Sequence, residues 1–170
     1  MDFLTVTFVS LQALGATIGV VSAVWGEIAF ARALRDNTID GAERAHLRHV
    51  ARGLRFGMFV LLLASLGLVV LAFERHLALQ PALQSAYWVE MLLALLIIVI
   101  SWALSKKRIS FALGSAAIFS AWWFLAFLTL GQLPYLSLGA ALALYIVATA
   151  ILFGILWYAR MLLATPPASR

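Results

Sequence analysis

Residues 109–159 read ISFALGSAAIFSAWWFLAFLTLGQLPYLSLGAALALYIVATAILFGILWYA, and none of them is charged. A bilayer core is crossed by roughly 20 apolar residues of helix, so this stretch is too long for one span. It breaks at Gly131-Gln132-Leu133-Pro134. Proline lacks a backbone donor, and glycine favours chain reversal. The stretch is therefore two membrane helices, about 109–131 and 135–159.

The same criterion, carried towards the N-terminus, finds three more. Residues 3–26 are uncharged, and the apolar character continues past Glu27 to Ala33. A span at 56–73 lies between Arg55 and Glu74-Arg75-His76, and another at 87–105 carries Glu90 near its start. The expectation is an all-α polytopic bundle of five transmembrane helices, one domain over residues 1–164, with a disordered tail at 165–170. Residues 1–31 contain no Lys or Arg, and the first apolar run far exceeds a signal-peptide core, so it reads as a retained helix.

Composition agrees. Of 170 residues, 65% are hydrophobic and 11% charged, against about 25% charged in soluble domains. Mean hydropathy is +1.04. A chain this short cannot hide that much apolar surface from water, so the solvent is lipid. Cysteine is absent, which excludes disulfides, thiolate metal sites and cysteine nucleophiles. The net charge of +5 sits beside apolar spans, which points to anionic lipid headgroups rather than nucleic acid.

The positive charges also orient the chain. The first loop holds Arg32, Arg35, Arg44, Arg48, Arg52 and Arg55, the third holds Lys106, Lys107 and Arg108, and the tail holds Arg160 and Arg170. The other side holds only Arg75. The positive-inside rule then predicts an outside N-terminus, cytoplasmic loops one and three, and a cytoplasmic C-terminus. Within the first loop, Asp40 and Glu43 resemble a capping box. A helix from there puts Leu47, Val50, Ala51 and Leu54 on one face and Arg44, Arg48 and Arg52 beside it. The expectation is a short amphipathic cytoplasmic helix whose arginines bind lipid headgroups or a partner.

Small residues recur at four-residue spacing in Gly15-xxx-Gly19-xxx-Ala23, which lets helix backbones approach closely. Two readings stand: a homo-oligomer interface, or packing inside one bundle. Among polar groups, Glu27 lies about 8 Å inside the level of Arg32 by helix rise. A carboxylate there is costly unless paired or protonated, and Arg55 is the expected partner. Gln12, Gly19 and Glu27 mark a polar and small stripe along the first span. Glu74, Arg75 and Glu90 read as an exposed anchor set at the outer surface. His46 and His49 share a helix face and are weak metal candidates. No His lies inside a span to ligate haem, and no cofactor is expected.

The stretch Leu11-Gln-Ala-Leu-Gly-Ala-Thr-Ile-Gly19 through Glu27-Ile-Ala-Phe-Ala-Arg32-Ala-Leu-Arg-Asp36 resembles the opening of uncharacterised small five-span bacterial membrane proteins. More distantly it is similar to the copper-resistance-D-like membrane proteins and the related bacterial protoporphyrinogen oxidases. Gln12 stands where those chains often carry His. The resemblance implies the five-span architecture and a bacterial inner membrane. The function expected from the residues is non-enzymatic transport, permeation or accessory work around the first-span stripe. A haem- or quinone-associated redox subunit and a membrane scaffold or assembly factor are the alternatives.

Overall fold

The computed structural model describes residues 3–36, 41–76, 80–131 and 137–164. Five helices follow one another: α1 (Phe3–Asp36), α2 (Gly41–Glu74), α3 (Ser85–Ser105), α4 (Phe111–Thr129) and α5 (Leu138–Ala164). Each is long and apolar enough to cross a membrane. A 3-10 turn at Pro81–Leu83 precedes α3, and the Trp88 indole donates to the Ala82 carbonyl at 2.9 Å, tying that turn to the helix. The expected break between the last two spans is present. Helix α4 ends at Thr129, and Gly131 adopts φ +66°, a conformation glycine takes without steric cost. Asp40 and the proposed tail lie outside the described residues, as do the side chains of Arg32, Arg35, Glu43 and Arg44.

One expected boundary is corrected. The basic segment after Gly41 is not a separate short helix but the first part of α2, which runs unbroken to Glu74. Nothing in 44–56 stops a helix. Gly53 costs about 1 kcal/mol relative to alanine, which a continuous hydrogen-bond ladder outweighs. Helices α1 and α2 have 34 residues each, about 51 Å of helix against a hydrocarbon core of ~30 Å. Both therefore extend beyond the apolar layer, at the end that carries the first-loop and third-loop basic residues. The two ends of the bundle are called here the basic end and the Pro81–Leu83 end.

Lipid does not drive helices together by the hydrophobic effect, so close van der Waals fit must. Helices α1 and α2 form the largest contact, and glycine permits it. A Cβ on Gly15 would sit 2.6 Å from the Leu61 amide nitrogen, and one on Gly57 would sit 2.8 Å from the Gly15 carbonyl oxygen. Helix α4 is central and packs on α1, α3 and α5. Its inner face is small (Gly114, Ala116, Ala117, Ser120, Ala121), with Trp122 and Leu125 fully buried beside it. The Tyr145 hydroxyl of α5 donates to the Ala117 carbonyl of α4 at 3.0 Å. Large apolar side chains such as Val21, Leu66, Ile98 and Ile146 cover the outer faces, as a lipid-facing surface requires.

Gly15, Gly19 and Ala23, for which the sequence leaves open both an oligomer interface and packing inside one bundle, make contacts within the chain. Gly15 meets α2, Gly19 meets both Gly57 and the Trp122 ring, and Ala23 is buried.

Candidate functional site

Among the described residues, two polar clusters lie inside the bundle, and α1 contributes one residue to each. Gln12 and Glu27 are about 22 Å apart along the helix axis, and Gly19 lies midway.

At the basic end, Glu27 accepts a hydrogen bond and ion pair from Arg160 Nη2 of α5 at 2.6 Å. The same Nη2 donates to the Ser115 hydroxyl of α4 at 2.7 Å. The guanidinium carbon lies 5.1 Å from the centre of the Phe30 ring, and Phe30 in turn stacks on Phe111 at 4.0 Å. The Glu27 and Arg160 side chains are only 14% and 8% exposed, so three helices are locked by one largely dry ion pair. Arg160 Nε and Nη1 are buried with no acceptor among the described residues. A cavity of about 190 Å³ borders this cluster, lined by Glu27 and Ser115 with Val50, Leu54, Ile118 and Phe119.

This pairing differs from the sequence expectation. Arg55 is exposed and lines a separate groove between α2 and α3, with Met58, Ile97 and Ser101. Arg160, counted by sequence as a tail charge, is a buried span residue. The signal was present: Met161-Leu-Leu-Ala164 is apolar, so the helix continues a full turn past the arginine.

At the Pro81–Leu83 end, Glu90 is 4% exposed and is not an outer-surface anchor. Gln12 Nε2 donates to Glu90 Oε2 at 2.8 Å and to Ser65 Oγ at 3.0 Å. Ser65 Oγ, itself buried, contacts Glu90 Oε1 and the Leu61 carbonyl. So Gln12 of α1, Ser65 of α2 and Glu90 of α3 form one hydrogen-bonded triad. Glu90 shares its helix face with Leu93, Ala94 and Ile97, all buried. A cavity of about 140 Å³ opens beside the triad towards the Pro81–Leu83 turn, with Gln84, Tyr87 and Thr129 among its lining.

Between the two clusters the interior is apolar and closed. The six-membered ring of Trp122 fills the space left by Gly19, and Ala16, Leu61 and Leu125 surround that level. Trp122 Nε1 is buried with no acceptor among the described residues.

The remaining sequence candidates stay apart from these clusters. Arg48, Arg52, His46 and His49 are exposed on the extended first part of α2. His49 Nδ1 is held 2.8 Å from the Ala45 carbonyl of its own helix, and His46 packs edge-on against Trp25. Among the described residues no group of three His, Cys, Asp or Glu side chains is placed to hold a metal ion.

Comparison with protein-family models, curated proteins and solved structures returned no match to this chain.

Proposed function

We propose that the chain is a small transport or permeation protein of a bacterial inner membrane, with the first span as its functional helix. One observation carries this reading. The same helix places polar residues in two buried clusters, each beside its own cavity at opposite ends of the bundle, and a tryptophan plug separates them. A purely structural helix has no need of two cavities bordered by carboxylates, because each buried polar group costs free energy unless fully satisfied. A solute that entered one cavity would have to pass the closed apolar level of Trp122, Ala16, Leu61 and Leu125 to reach the other.

In this reading the Glu27–Arg160 pair closes the basic end by holding α1, α4 and α5 together. Breaking it frees α5 to move. The loop charges support a cytoplasmic basic end. With Arg160 assigned to the span, ten Lys and Arg residues remain on that side against one on the other, still a strong bias. Exposed Arg48 and Arg52 on the overhanging part of α2 are suited to anionic headgroups.

The test is solute flux in proteoliposomes. Wild-type protein raises the flux of small polar solutes above that of empty vesicles, and Glu27→Gln alters its pH dependence. Flux equal to empty vesicles across a panel of small cations, anions and neutral solutes would reject transport.

A further inference from the structure

The cavity beside Gln12, Ser65 and Glu90 offers several hydrogen-bond acceptors around one buried carboxylate. Both amide hydrogens of Gln12 are spent, one on Glu90 and one on Ser65, so its carbonyl oxygen is a spare acceptor. The Thr129 hydroxyl donates to the Ala126 carbonyl at 3.1 Å, which leaves its lone pairs free. The Ser65 hydroxyl is engaged with the Leu61 carbonyl and Glu90. The Glu90 carboxylate has a neighbour on each oxygen, and each oxygen keeps a further lone pair. Among the described residues no Lys, Arg or His lines the cavity; Gln84, whose amide can both donate and accept, Tyr87 and the apolar Leu68, Pro81, Ala86 and Leu128 make up the rest of the lining.

We propose that this cavity binds a small primary-ammonium solute. Such a group has three donors and no acceptor, which matches the acceptors that Gln12, Thr129 and Glu90 present to the cavity. Its positive charge answers a buried carboxylate whose partners, Gln12 and Ser65, are both neutral. An aromatic ring in the lining favours a cation over a neutral solute. The cavity is small, about 140 Å³, so methylammonium is the probe of choice. The proposal names the solute class for the transport reading, but binding is measured without flux, so either can fail alone.

The experiment is thermal unfolding of the purified full chain in detergent, titrated with methylammonium chloride and, at matched ionic strength, with sodium chloride. Methylammonium should raise the midpoint saturably by a few degrees beyond sodium. Glu90→Gln should abolish that difference. Thr129→Val, which removes one acceptor at nearly constant volume, should weaken apparent affinity several-fold, and it decides the matter if Glu90→Gln does not fold. Equal midpoints in the two salts, or a methylammonium shift that survives in both variants, would overturn the assignment. Binding without flux would retain the site and reject transport, whereas flux without binding would do the reverse.

Discussion

Arg160 donates to Glu27 at 2.6 Å across 133 residues of sequence, joining the last helix to the first. Both side chains are mostly buried, so removing one partner leaves an uncompensated charge in a poorly solvated place, at a cost of about 3–5 kcal/mol. Glu27→Gln and Arg160→Gln should each lower the unfolding midpoint strongly. The double variant should recover a good part of the loss, giving a clear coupling energy in a double-mutant cycle. Arg55→Gln should stay within about 0.5 kcal/mol of wild type, as an exposed substitution does. Additive single effects would contradict the pairing.

The Gln12–Ser65–Glu90 triad makes a second stability prediction. Glu90→Ala removes one of the two acceptors of the half-buried Gln12 amide and leaves a cavity in the core beside it, at a cost of about 1–3 kcal/mol. Glu74→Ala, at an exposed position, should change stability by about 0.5 kcal/mol or less. The comparison is direct by thermal unfolding in one detergent.

These two clusters also mark the limit of what the sequence discloses. The five spans follow from hydropathy and from breaks such as Gly131, and a lipid solvent makes that signal strong. Which way each helix faces is a different matter. In a soluble helix a polar face shows the outside. In α3 and α4 almost every residue is apolar, so no periodicity distinguishes the lipid-facing from the bundle-facing side. Glu90 could therefore be read as an anchor and Arg160 as a tail charge, although one is in the core and the other in an ion pair. Glu27 and Gln12 were legible because a polar residue inside a span is costly wherever it points. Their partners depend on helix rotation, which only packing of small residues fixes.

Packing at Gly19 gives the third prediction. A methyl group there would collide with the Trp122 ring. Gly19→Ala should destabilise the protein by about 1–3 kcal/mol, the usual range for overpacking. Gly139→Ala, where a Cβ meets nothing within 4 Å, should be neutral or slightly stabilising because alanine is the better helix former. Equal effects at the two sites would contradict the close α1–α4 contact.

Orientation has a clean test because the chain contains no cysteine. A single cysteine at Gln80 should react with a membrane-impermeant thiol reagent added outside intact cells. One at Lys107 should react only after the membrane is opened. The reverse pattern would invert the proposed topology.

Trp122 stands between two cavities, each bordered by a carboxylate, and its role as a plug is tested most directly by passive solute leak through Trp122→Ala. Truncation removes a fully buried side chain at a cost of about 3–5 kcal/mol, so the variant must first be shown to elute as a monodisperse species. In proteoliposomes with a small-solute gradient, the account predicts leak well above wild type, suppressed again by Trp122→Phe. A folded Trp122→Ala protein that leaks no more than wild type would contradict it.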